Sequence, residues 1–163
     1  EWVVGSLTEF DGKQLQSVAK GGLDLGSLED ESEKKEAEKA ADEYKDLIEK
    51  IKTELGEKVK DVRVTHRLTD SPSCIVADEH DLGGNLARIL KAAGQKAPSS
   101  KPILEINPNH LAVQRLKYEE TRFSDWANLL LEQATLAEGG TLEDPAGFVK
   151  RINDLMLALS AGK

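Results

Sequence analysis

Apolar and polar positions change period several times along the chain, and each change predicts an element. Residues 1–20 alternate weakly (Trp2, Val4, Leu7, Phe10), turn at Asp11-Gly12, and continue through Leu15 and Val18, the pattern of an extended or hairpin piece. Residues 21–27 read Gly-Gly-Leu-Asp-Leu-Gly-Ser, a linker composition, so a boundary is expected at 21–28. From about 29 to 55 the period becomes helical. Ala37, Ala40, Ala41, Tyr44, Leu47, Ile48, Ile51 and Leu55 share one face, acids often stand three or four positions before a lysine, and Gly56 follows as a C-cap.

The period then falls to two. Val59, Val62 and Val64 lead toward Leu68, a strand ended by Thr69-Asp70-Ser71-Pro72; residues 74–77 form a second strand, expected to pair with the first as a hairpin. Residues 103–106 form a third, bounded by Pro102 and Asn107-Pro108. A helix over roughly 81–93, ended by Gly94, is inserted between the second and third strands. Asn107 is expected to cap a helix with Pro108 in its first turn, through Leu116. Ser124 is expected to cap one to about Glu138, ended by Gly139-Gly140, and Asp144-Pro145 opens the last, to about Ser160. The fold class is therefore α/β (α+β): a small mixed three-stranded sheet with flanking helices and a helical end.

Those last two helices carry more apolar surface than such a sheet can cover. With Trp126 at zero on a helical wheel, Leu130, Ala134, Ala137, Ala127 and Leu131 fall on one side and Leu129 and Leu136 on the other. That arc is about twice what one packing face needs. In the final helix Phe148, Val149, Ile152, Leu155, Met156 and Leu159 form one stripe. A second copy would complete an intermolecular four-helix bundle with a two-fold interface built on Trp126, Leu129, Leu130, Phe148, Ile152, Leu155, Met156 and Leu159. The alternative is a monomer with both helices folded onto the sheet. On the inserted helix Leu82, Leu86, Ile89, Leu90 and Ala93 share a face, and Gly83 and Gly84 each weaken its first turn by about 1 kcal/mol. That face either covers the sheet or detaches to meet a partner.

Composition narrows the function classes. The chain has 163 residues, 39% hydrophobic and only 4% aromatic, so its core is mostly aliphatic. The net charge is −8; thirteen acids and seven bases within 24–58 account for most of it, a balance that repels nucleic acid. No apolar run approaches the roughly 20 residues of a membrane span, so no membrane partner is expected. Cys74 is the single cysteine, excluding an internal disulfide and fitting a reducing cytoplasm. The chain opens at Glu1-Trp2 without a methionine and is expected to be a piece of a longer protein.

Catalytic signals are thin, and neither catalytic nor metal-ligating residues are assigned. Gly83-Gly84 lacks the flanking lysine and strand of a phosphate loop. Cys74 with His66 on a neighbouring strand could supply two parts of a nucleophilic arrangement, against the plainer reading of a small buried side chain and a sheet histidine. Asp78-Glu79-His80-Asp81 carries ligand-type residues, but consecutive positions diverge, and Asp78 as an N-cap answered by Asp81 explains the same letters.

Several stretches resemble one family. Residues 59–72, Val-Lys-Asp-Val-Arg-Val-Thr-His-Arg-Leu-Thr-Asp-Ser-Pro, resemble the first strand and turn of the C-terminal dimerisation domain of heat-shock protein 90, closest to its bacterial branch. Residues 92–96, 104–110 and 140–145 are similar to further segments of that domain, and 7–13 to the end of the middle domain. The resemblance implies residues 1–20 as the end of the middle domain, 21–28 as linker and 29–163 as the dimerisation domain. It implies a homodimer through the last two helices, and a chaperone that contacts client proteins through Leu82, Leu86, Ile89 and Leu90 together with Glu1 and Trp2. At the position of a further family asparagine this chain has Gly5, and its amphipathic helix carries only aliphatic residues where relatives place Met or Phe. ATP and Mg belong to the family's N-terminal domain, so no cofactor and no ATPase activity are expected of this segment.

Overall fold

The computed structural model describes residues 7, 9–15, 42–77 and 101–161. The proposed linker at 21–28 and the inserted helix over 81–93 lie outside the described residues. So do Glu1, Trp2 and the Asp78–Asp81 cluster.

Strands β1 (Glu9–Phe10) and β2 (Lys13–Gln14) pair antiparallel across Asp11-Gly12. Both turn residues have positive φ, 52° and 73°, as a two-residue hairpin loop of the right twist demands, so the expected hairpin is present. Helix α1 (Lys45–Leu55) falls within the span 29–55 expected to be helical and buries Leu47, Ile51 and Leu55 at steps of four. Gly56 ends it at φ 50°, its N–H bonded to the carbonyl of Lys52, and a 3-10 turn (Gly56–Lys58) leads into the sheet. Just before α1, Tyr44 is buried; its hydroxyl donates to the carbonyl of Pro108 at 2.9 Å, and Lys117 Nζ lies 4.2 Å from the ring centre.

The main sheet consists of β3 (Asp61–Val64), β4 (Ser73–Val76) and β5 (Ile103–Ile106), in the order β3-β5-β4. The mixed sheet is as expected, but the hairpin between its first two strands is not. β5 separates them, parallel to β3 and antiparallel to β4. The reason is visible in β5 itself, where all four residues are buried: a run without alternation belongs in the middle of a sheet. The 65–72 segment carries the chain from one edge to the other and is held by Asn107. Its Nδ2 donates to the carbonyls of Leu68 at 3.1 Å and Ser71 at 3.2 Å, and its N–H donates to that of Pro72 at 2.9 Å.

Asn107, expected as a helix cap, is therefore a buried turn-holder. Helix α2 (Leu111–Leu116) starts later and is capped by His110, whose Nδ1 accepts from the N–H of Ala112. Helix α3 (Phe123–Ala137) begins at Phe123, and Ser124 does not cap it; the Ser124 hydroxyl donates to Glu54 Oε1 on α1. Helix α4 (Pro145–Ala161) starts as expected, with Asp144 Oδ1 accepting from the N–H of Gly147.

One face of the sheet forms the core. Val62, Leu104 and Ile106 pack with Ile51 and Leu55 of α1, Val113 and Leu116 of α2, and Ala127, Leu130 and Ala134 of α3. Ser73 on the same face donates to the carbonyl of Leu130 at 2.8 Å, fastening β4 to α3. The opposite face carries Arg63, Glu105 and Cys74 side by side in register.

Candidate association surface

The polar row on the second sheet face is an ion-pair cluster. Glu105 is buried, and its carboxylate accepts from Arg63 Nε at 3.1 Å and pairs with Arg67 Nη2 at 2.6 Å. Cys74 lies beside it, its thiol donating to Glu105 Oε2 at 3.7 Å and accepting from Arg67 Nη2 at 3.8 Å. Burial first, and the neighbouring Glu105 charge second, raise the thiol above its usual range, so it is held protonated at neutral pH. Its partners are thus an arginine and a carboxylate. His66, the base considered from sequence, is exposed and is not among them. Among the described residues, no group of three or more His, Cys, Asp or Glu side chains could hold a metal ion, and no helix is long and apolar enough to cross a membrane.

The terminal helices offer a different chemistry. Gly139-Gly140 ends α3, with the N–H of Gly140 bonded to the carbonyl of Thr135; a Cβ on Gly140 would stand 2.8 Å from Thr135 atoms, so only glycine lets the chain turn this closely. Helix α4 then returns along α3. Arg151 grips Glu132 with two parallel bonds, Nε to Oε2 at 3.1 Å and Nη2 to Oε1 at 2.8 Å, and Arg122 Nη1 donates to the carbonyl of Asp154 at 3.2 Å. These side chains, and not the apolar stripe alone, fix which edge of α4 faces its own chain. Leu155 lies on that edge and is buried.

The eight residues expected at an interface separate accordingly. Leu129, Leu130 and Leu155 are buried within the single chain, Leu130 and its neighbours against the sheet. Trp126, Phe148 and Ile152 are half-buried. Met156 and Leu159 are 62% and 42% exposed, and Val149 and Leu157 join them at 55% and 67%. Periodicity located the stripe but not its division, because a wheel does not reveal which edge the Arg151–Glu132 fork will claim. The open part, Val149, Ile152, Met156 and Leu159, runs the length of the helix at spacings of three, four and three. At its end Leu159 also borders a groove of about 190 Å³, shared with Arg115, Glu119, Arg122 and Trp126.

Fold and surface together define a small mixed-sheet α/β module whose terminal helices present an apolar face to solvent. Its family follows from comparison with known proteins. The model of the Hsp90 protein family matches residues 1–162, and the chain belongs to that family of chaperones. It is 81% identical over 161 residues to the chaperone protein HtpG of Dechloromonas aromatica, covering 99% of this chain and 25% of the relative. To that of Aromatoleum aromaticum it is 76% identical over 164 residues, covering 99% and 25%, and to that of Nitrosomonas europaea 66% over 157 residues, covering 96% and 24%. The chain thus spans about a quarter of the length of these relatives.

Proposed function

We propose that this segment is the dimerisation and client-contact module of an ATP-dependent, HtpG-like chaperone that works in the cytoplasm in protein folding and the stress response. Nucleotide and Mg are handled, in this reading, by other parts of the longer protein. The observation that carries it is the open apolar edge of α4: in one chain Val149, Met156 and Leu159 remain 42–62% exposed on a helix whose other edge is already locked. Completing the burial of four such side chains from each of two copies would contribute on the order of 10 kcal/mol before association costs. The closed arrangement for identical chains is two-fold, with the α3–α4 pairs forming a four-helix bundle.

Light scattering at micromolar concentration is expected to give twice the chain mass. Met156→Glu combined with Leu159→Glu should reduce it to one chain mass with the far-UV spectrum retained, since both positions are exposed. Leu155, being buried, would be a poor choice, because a charge there attacks the fold itself. A wild-type protein that stays monomeric would sink the reading.

Client contact is assigned to Leu82, Leu86, Ile89 and Leu90, with Glu1 and Trp2, on the strength of the family resemblance and the single apolar face of residues 81–93. Leu86→Ser with Ile89→Ser should weaken binding of an unfolded model protein by about tenfold, the loss of two apolar contacts, while leaving the dimer intact. Unaltered binding would remove residues 81–93 from the client surface.

A further inference from the structure

Arginine charge on the described part of the chain is answered at three positions and unanswered at two. Arg63 and Arg67 meet Glu105, and Arg151 meets Glu132. The other two described arginines, Arg115 and Arg122, have no ion-pair partner among the described residues, although the chain carries 30 acids against 22 lysines and arginines. Both line the groove of about 190 Å³ where the end of α2, the start of α3 and the last turns of α4 meet. Glu119, the carboxylate in its wall, is already engaged: Oε1 accepts from the N–H of Arg122 at 3.1 Å. The Thr121 hydroxyl and the Trp126 indole N–H make no hydrogen bond among the described residues. The polar wall therefore consists largely of donors, over an apolar floor of Leu155, Ala158 and Leu159.

We propose that this groove takes an acidic side chain of an extended partner peptide, with its carboxylate on Arg115 and Arg122 and an adjacent apolar residue on Leu155 and Leu159. Charge decides the class of ligand, because a guanidinium is a planar fork of donors that a carboxylate satisfies with two parallel bonds. Size decides its source. A volume of about 190 Å³ lies below the about 300–1,000 Å³ in which free small molecules and cofactors are held, and suits one side chain of a longer peptide. Further contacts for such a peptide stand beside the groove on α2. There Leu111, four residues before Arg115, and Tyr118, three after it, are both exposed. Arg122 is oriented before any ligand arrives by its bond to the Asp154 carbonyl at 3.2 Å. On a wheel of 100° per residue, Ala158 and Leu155 lie about 20° and about 40° from Arg151, on the locked edge of α4, and Met156 about 140° away. Leu159 alone belongs to both the groove and the open stripe, so occupancy of the groove does not depend on the dimer reading.

The test uses the 163-residue chain with a short fluorescein-labelled peptide alternating Glu and Leu, and its counterpart with Gln at every Glu position. By fluorescence anisotropy at low salt, the Glu peptide should bind at least about tenfold more tightly than the Gln peptide. Arg115→Gln, at an exposed position, should bring the two affinities to within about twofold of each other, and Arg122→Gln should do the same. Circular dichroism checks that both variants are folded, and sedimentation velocity should give them the association state of the wild type. Leu86→Ser with Ile89→Ser should leave the preference for Glu intact, which separates this site from the proposed client contact. Equal affinity of the wild type for the two peptides, or a preference that survives Arg115→Gln, overturns the proposal. Displacement of the Glu peptide by millimolar acetate or inorganic phosphate overturns the peptide as occupant in favour of a small anion. A monomeric wild type that keeps the preference overturns the dimer reading and supports this one.

Discussion

Leu104→Ala is expected to lower the unfolding free energy by about 3–4 kcal/mol, read as a shift of the urea midpoint at fixed protein concentration with little change in slope. Leu104 has no exposed surface and occupies the middle of the central strand, with Val62 on one side and Ile75 on the other. The helices α1 and α3 close over the same cluster, so the vacated space has no mobile neighbour to fill it. Part of the cost is lost transfer free energy and part is the cavity that stays open. Fixed concentration matters because a dimer gains apparent stability with protomer concentration. Leu157→Ala is the control: at 67% exposure the same deletion should move stability by no more than about 0.5 kcal/mol. Equal effects at the two sites would mean that Leu104 does not occupy the interior.

Glu105→Leu should cost about 2–3 kcal/mol by the same measurement. The side chain is 6% exposed and answers two guanidinium groups, Arg63 and Arg67, which are themselves 37% and 35% exposed. Removing one partner of a fully buried pair typically costs about 3–5 kcal/mol. Solvent reaches both arginines here, which screens the charges left behind and reduces the figure. Arg63 Nη2 is already buried without a hydrogen-bond partner, so little spare capacity exists to absorb the change. Glu105→Leu together with Arg63→Met should recover part of the loss, because one stranded charge leaves with its partner. If the single variant is as stable as the wild type, the cluster contributes nothing to the sheet.

Both substitutions fall on β5, where sequence and structure diverged most usefully. The four letters Ile-Leu-Glu-Ile identify a strand, but the sequence pattern pairs the nearest strand along the chain, at 74–77, with β3 instead. Short separation favours a hairpin in the unfolded chain, where loop closure costs little. What overrides it is the burial of every β5 residue, which demands a neighbour on both sides. Glu105 drew no assignment from the sequence for the same reason: the groups that answer it, Arg63 on β3 and Arg67 in the 65–72 segment, are about forty residues away along the chain. The capping role expected of Asn107 falls to His110. An asparagine before a proline suits a cap, yet its side chain was taken by the carbonyls of Leu68 and Ser71, nearly forty residues away in sequence.

The surface follows the same division. That α4 carries a broad apolar stripe was legible from spacing alone, as were the Asp144-Pro145 start, the Gly139-Gly140 stop and the Gly56 cap, because each depends on neighbours within one helical turn. Which edge of the stripe is spent inside the chain depends on Arg151 meeting Glu132, nineteen residues away on another helix. By itself, then, the sequence determined the described strands and helices, the Gly56 and Asp144 caps, the aliphatic core and the excess of apolar helix surface, all set by local periodicity and backbone preference. Only the tertiary structure decided the strand order, the buried Glu105 cluster and the side of α4 left open. Those depend on distant groups competing for the same neighbours, and the competition is resolved only when the chain is folded.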